Sequence, residues 1–470
     1  MPVVLFLLLV AFSRFWNISN TATFTEDESK DLVGIHGIYV DKNLTLVGPR
    51  NSQGTKVFSS STFYMLLPGA ILTSFDPVGP AYSSAFWGVI TALIILLIAR
   101  KINPKLSFWV SILVLVWYPL LLTSRWAWNP NLIPFWTALA VYFFLKKGWW
   151  KLLAGVSLGL TVHSHYYSIF AAGMFVFVYL VDSLRKRKLK EWLYLISGLL
   201  FALLPFVVFD LLHPPGIFVT GIFSQARSVS GALDFQRVII NFFTSIKEIL
   251  FTYTRSEILG AFLGISLTLL LVADLKAKSY SIVYFLPWLV QIILVSFLPE
   301  QFGHYLIPGL IFFLIWVVYQ RKQQWGKKVQ LFTVAVLIIG GLFSLKSQLT
   351  LSTSYPPIPI MRTIAKDIFE DITQNDRKNV NMAVLASPDK NTEGKRYRDL
   401  LLVMGNLNIL TRDQYSLSDH LFVISTSGEK TVREDPALEM NDFRAGPLVE
   451  SIEVANSPWL IYHFTRSKRL

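Results

Sequence analysis

The chain has 470 residues, no cysteine, and 43 Lys+Arg against 30 Asp+Glu, a formal net charge of +13. Residues are 53% hydrophobic and 14% aromatic but only 16% charged, against about 25% charged in a soluble domain. Too few charges remain to cover a water-facing surface. A disordered chain, a collagen, a disulfide scaffold and a zinc-thiolate protein are excluded, and a membrane protein is indicated.

The position of the charge says more than its sum. Up to Leu345 there are 27 basic and 14 acidic residues, and beyond it 16 of each. The whole excess therefore belongs to the apolar part. This is the positive-inside bias of a polytopic membrane protein, so nucleic acid is not expected as a partner.

A span needs roughly 20 mainly apolar residues. In chain order the candidates are 1–16, 80–99, 106–123, 131–145, 151–163, 165–181, 191–210, 258–273, 279–298, 303–320 and 328–345, about eleven transmembrane helices. Basic clusters at 100–105, 146–151, 185–190, 276–278 and 321–328 alternate with turns nearly free of lysine, and hold 17 of the 27 basic residues. Those loops are expected in the cytoplasm. The N-terminus is then cytoplasmic, the first loop (17–79) extracytoplasmic, and the C-terminal region extracytoplasmic as well. The first segment lacks a basic start and an Ala-x-Ala cleavage site, so it reads as a retained, short span rather than a signal peptide. Its shortness leaves open a start upstream of Met1.

Three pieces are expected not to cross. In the first loop, 63–75 is apolar but too short to span and should lie in the interface. A second outside loop covers 213–254. A Pro-rich linker, 346–360, separates the membrane part (1–345) from a tail (361–470). That tail reads as a small α/β domain, with a helix at 363–373 and strands at 380–386, 420–426, 448–454 and 459–464.

Chemistry-bearing residues collect on the outside. Thr25-Glu26-Asp27-Glu28 fits a capping box at a helix start, and equally a general base held at the membrane surface. Arg50 and Lys56 follow in the same loop, as solvated cations or as anion ligands. Arg125, in Ser124-Arg-Trp-Ala-Trp-Asn-Pro130, is a cation against the topology rule; it either snorkels or meets an anion such as a lipid phosphate. His163 and His165 flank one outer edge, with His304 and Tyr305 at another. Residues two apart on a helix do not share a face, so the first pair is a poor metal site, and no His-Glu-x-x-His or Cys cluster occurs. Satisfied interfacial histidines are the plain alternative. Their convergence on one face supports a single outer-leaflet site, in an enzyme or a transporter.

The ordered set is recognisable. It comprises Arg14-Phe-Trp, Phe24…Asp27-Glu28, Val47-Gly-Pro, apolar 63–75, Ser124-Arg-Trp-Ala-Trp-Asn-Pro, His163-Ser-His-Tyr and Gly303-His-Tyr-Leu-Ile-Pro. It resembles the GT-C superfamily of integral membrane glycosyltransferases. The likeness is strongest to bacterial relatives of protein O-mannosyltransferases and the aminoarabinose transferase of lipid A. The resemblance implies an all-α polytopic membrane fold with an outside α/β domain, in the plasma membrane. It implies transfer of a sugar from a polyprenyl-phosphate carrier to a lipid, protein or glycan acceptor on the outer side, with inversion. Asp27 would then be the general base, supported by Glu28. Arg125, His163, His165, His304 and Tyr305, with Arg50 and Lys56, would meet the donor. Glu26 adds a third acid to the usual pair. No cofactor is implied beyond a divalent cation that carboxylates could hold. The rival class is a transporter or flippase of lipid-linked sugars. It is disfavoured because the span interiors carry almost no charge while the polar residues gather at one rim.

Overall fold

A computed structural model describes residues 2–50, 57–214, 216–218, 234–385 and 392–466. Contacts divide the chain into two compact units. The first comprises Met1–Ile18, Thr45–Leu66 and Ala81–Thr350; the second comprises Ser19–Leu44, Leu67–Pro80 and Leu351–Leu470. The sequence places the division along the chain near 345–360, whereas by contact two stretches of the first loop group with the tail.

The first unit is a bundle of apolar helices around one continuous hydrophobic core. All eleven apolar stretches are helical. Six helices are long and apolar enough to cross a membrane: Val3–Thr21, Gly79–Ile102, Ser168–Arg185, Leu189–Leu212, Glu257–Ala277 and Gln324–Thr350. The pair Ser107–Val116 and Tyr118–Arg125, bent by 50°, makes a seventh if it counts as one span. Eleven crossings are not established by helix length. At 1.5 Å per residue, Ile133–Phe144 covers about 18 Å and Leu310–Val318 about 14 Å, short of the ~30 Å of a hydrocarbon core. The bend at Trp117 has a local cause, because Pro119 has no N–H to offer the preceding turn.

In this unit, Trp150–Ser164 packs closely on Leu189–Leu212. A Cβ added at Gly155 or Gly198 would collide with the carbonyl of Leu195 or Leu152, and one at Gly159 with Ala202. Small residues four apart are what bring membrane helices into backbone contact.

The expected interfacial stretch 63–75 corresponds to the helix Ser61–Leu72. The second outside loop differs from expectation: Phe235–Thr254 is a 20-residue helix, opened by the Asp234 carboxylate, which accepts from Arg237 N at 3.2 Å. Its Gln, Arg, Asn, Lys and Glu residues suppress average hydropathy, which hides it from a search for spans. Its Asn241 side chain donates to the carbonyls of Ser296 and Leu298, at 3.1 and 3.2 Å.

The second unit contains a four-stranded sheet in the order β3-β4-β6-β5, formed by Val380–Val384, His420–Ser425, Leu460–Thr465 and Leu448–Glu453. β3 and β4 are parallel and the remaining pairs antiparallel. The helix Ile358–Gln374 buries Ile358, Met361, Ile364, Ala365, Ile368 and Ile372, a stripe with helical period. The tail thus has the helix and four strands its sequence pattern predicts.

Candidate functional site

The described candidates fall in two groups. Asp27 and Glu28 belong to the second unit; Arg50, Arg125, His163, His165, His304 and Tyr305 belong to the first. Lys56 lies outside the described residues.

The carboxylates stand at the start of the helix Glu26–Tyr39. Thr25 is extended, and its hydroxyl oxygen accepts from Asp27 N at 3.3 Å. The Glu28 carboxylate accepts from both the Thr25 N–H and the Thr25 hydroxyl, the latter at 2.6 Å. This is the complete capping box, and it divides the two acids. Glu28 is 2% exposed and is spent on the cap. The Asp27 side chain is 29% exposed, with Lys30 Nζ at 3.1 Å, so it is the acid a substrate hydroxyl could reach.

Two further acids stand near them that sequence reasoning passed over. Asp31, one turn after Asp27, is 3% exposed, and its Oδ1 has no hydrogen-bond partner. Burial pushes its carboxyl well above the ordinary range; Lys30 opposes this, while Glu28 and Asp27 add to it. Asp399, on the helix Lys395–Gly405, accepts from Ser29 Oγ at 2.6 Å. Burial raises its carboxyl too, against the Ser29 hydrogen bond. Four acids at 26, 27, 28 and 31 were a visible signal for Asp31. Asp399, some 370 residues away, gave none.

The tail also grips the approach to Asp27. Phe24 N donates to Ser354 Oγ at 2.6 Å, and Arg396 donates to the carbonyls of Phe24 and Tyr355 at 3.3 and 2.9 Å. Thr23 and Thr353 hydroxyls meet at 2.7 Å.

In the first unit Arg125 is 5% exposed. Its guanidinium donates to the carbonyls of Ser13, Arg14 and Trp16 at 3.2, 2.9 and 3.0 Å. Arg14 does the reciprocal work, donating to the carbonyls of Val114 and Leu115 at 2.7 and 2.9 Å. Each arginine closes the C-terminal turn of the helix opposite, where orphan carbonyls and the helix dipole favour a cation.

Three separated motifs meet around His165. Its ring lies 5.2 Å from His304 and 5.5 Å from Tyr305, and His304 sits edge-on to Trp128 at 4.6 Å. Asn129 ties the first motif to the second by donating to Ser164 O at 2.6 Å. Gln291 holds the third by donating to Tyr305 O at 2.7 Å. The hairpin of β1 (Val47–Arg50) and β2 (Val57–Ser59) closes on the same cluster, with Phe58 stacked on His165 at 5.2 Å. Gly48 permits this pairing, since a Cβ there would strike the Ser59 carbonyl. Arg50, at the end of β1, is exposed.

His163 stands apart in role. One ring nitrogen meets Ser59 Oγ at 2.9 Å and the other Ala202 O at 2.6 Å, with Phe206 stacked at 4.1 Å. A carbonyl can only accept, so Nε2 carries a proton. His163 is a satisfied buried histidine. Among the described residues no group of three or more His, Cys, Asp or Glu could hold a metal ion.

No family model and no curated protein matches this chain. Solved structures do. The chain is similar to ArnT from Cupriavidus metallidurans in the apo state, with a TM-score of 0.58 and 13% identity over 98% of this chain and 97% of that one. It is similar also to that protein bound to undecaprenyl phosphate, with a TM-score of 0.55 at the same identity and coverage. At such identity the likeness is one of fold. It runs nearly end to end, in agreement with the GT-C resemblance carried by the ordered motifs.

Proposed function

We propose that the protein is a multi-pass plasma-membrane glycosyltransferase that takes its sugar from a polyprenyl-phosphate carrier. The observation that carries this reading is the nearly full-length likeness to a protein whose solved forms include one bound to undecaprenyl phosphate. In the proposed step, an acceptor hydroxyl oxygen attacks the anomeric carbon from the face opposite the phosphate. The bond from carbon to phosphate oxygen breaks with its electrons on the phosphate, and the hydroxyl proton passes to Asp27. Configuration inverts. Glu28, spent on the cap, positions Asp27 rather than reacting.

Arg125 supplies a fixed positive field, and the polar edges of His165, His304 and Tyr305 offer hydrogen bonds that suit a phosphate gaining charge. His163 and Arg50 enter as supports of that cluster and its hairpin. The basic loops support a cytoplasmic N-terminus and a reaction on the outer side. The acceptor is a lipid, protein or glycan hydroxyl.

The test is to incubate the purified protein with a panel of polyprenyl-phosphate sugars and a membrane-derived acceptor mixture, and to follow donor consumption. One donor should be consumed, and Asp27→Ala should lower turnover by about 10²–10⁴ with carrier binding kept. Transbilayer movement of a labelled carrier without consumption, unaffected by Asp27→Ala, would mark a flippase instead.

A further inference from the structure

At the end of the first unit where the basic connections collect, the spans open into a cavity of about 800 Å³. None of the candidates above lines it. Among the described lining residues seven are basic and two acidic. Lys101 comes from the end of Gly79–Ile102 and Lys151 from the start of Trp150–Ser164. Lys186 and Lys188 lie between Ser168–Arg185 and Leu189–Leu212, Arg321 and Lys322 lie before the last helix of this unit, and Lys327 is in the first turn of that helix, Gln324–Thr350.

Both acids are already engaged. Asp182 pairs with Lys186 at 2.9 Å, and Glu191 accepts from Tyr179 at 2.9 Å. Arg321 pairs with Asp274 at 2.9 Å. None of Lys101, Lys151, Lys188, Lys322 or Lys327 has a carboxylate partner among the described residues.

Lys151 is the least ordinary of these, at 5% exposed. Its ammonium is held by the Phe144 carbonyl and lies over the rings of Phe144 and Tyr179, at 3.8 and 5.2 Å. A buried cation with no carboxylate in ion-pair contact carries a desolvation cost that an anion in the cavity would offset. Two buried donors lining the space, Tyr284 Oη and Arg321 Nε, have no hydrogen-bond partner. The adjacent helices Trp150–Ser164 and Leu189–Leu212 both begin here without side-chain caps, so their positive dipole ends favour an anion at this end. Ile102, Phe144 and Leu145 line the same space, so the cavity joins cations to an apolar wall.

We propose that this cavity binds a phosphate ester, presented as the headgroup of an anionic phospholipid. Several spread cations suit the several oxygens of a phosphate better than a single carboxylate. The apolar wall at a membrane edge suits a ligand that carries acyl chains, and basic pockets between spans are where such headgroups settle.

The test uses the full chain in nanodiscs of phosphatidylcholine containing phosphatidylglycerol, transferred to detergent and weighed by native mass spectrometry. The native protein should keep phosphatidylglycerol and not phosphatidylcholine. A variant combining K188Q, K322Q and K327Q, all exposed positions, should keep at least about tenfold less, and K366Q on the tail should match the native chain. A second arm compares thermal unfolding in inorganic phosphate and in chloride at equal ionic strength. A phosphate-specific rise in Tm that the triple variant loses, without lipid retention, assigns the same chemistry to a soluble phosphate ester. Equal retention of both lipids, or by both proteins, with no phosphate-specific rise overturns the proposal.

Discussion

At the residue scale, Asp27 and Glu28 show how neighbouring identical groups acquire different work. Glu28 faces back onto Thr25 and is consumed by the helix start, while Asp27 stays partly in solvent with Lys30 beside it. The sequence made the capping box legible because it is a contact over three residues. Asp31 was less so: it is buried on Glu26–Tyr39, a helix against which the tail helix Lys395–Gly405 packs, and no local pattern specifies that packing. The sign of its pH effect follows. A carboxyl whose folded value is raised keeps its proton in the folded state after the unfolded chain has released one. Stability is therefore greatest below the ordinary carboxylate value of 3.8 and falls as pH rises toward the raised one. Asp31→Asn carries no such cost. Its Tm should exceed that of the native protein at pH 8, and the gap should close toward pH 4 in a pH series of thermal melts. A gap unchanged with pH would show that charge is not what burial opposes at this position.

At the element scale, two buried arginines act on helix ends. Arg14 and Arg125 each close the last turn of a helix about a hundred residues away, where a short side chain could not reach. The sequence singled out Arg125 as a cation on the wrong side. What it could not reveal is that backbone carbonyls, already present in the fold, satisfy it. Arg125→Ala leaves the two buried carbonyls, of Ser13 and Arg14, short of a donor, at about 1–2 kcal/mol each. We expect a fall in stability of roughly 2–4 kcal/mol, seen as a lowered Tm in detergent, with Arg125→Lys recovering part of it. An unchanged Tm with only a raised KM for the donor would assign the side chain to substrate instead. The same reasoning applies to Gly155, Gly159 and Gly198, which hold two helices at backbone contact and so bring the Ala202 carbonyl under His163.

At the scale of the whole molecule, the absence of cysteine makes topology directly measurable, because any introduced thiol is unique. With the N-terminus inside, K378C in the tail should react with an impermeant maleimide on intact cells, and K276C only after permeabilisation. The reverse pattern would invert the assigned orientation. The sequence by itself determined the membrane class, eleven apolar helical stretches of the first unit, one helix and the four strands of the tail, and the polar residues worth suspecting. Each of these is set by hydropathy, charge bias or contacts within a few residues, which a linear pattern records. Only the tertiary structure decided that His165, His304 and Trp128 share one cluster and that the tail secures Phe24 ahead of Asp27. It alone disclosed that lysines without a carboxylate partner among the described residues, drawn from separate segments of the chain, ring one cavity. Those arrangements depend on packing between segments tens to hundreds of residues apart, where chain order no longer constrains which side chains meet.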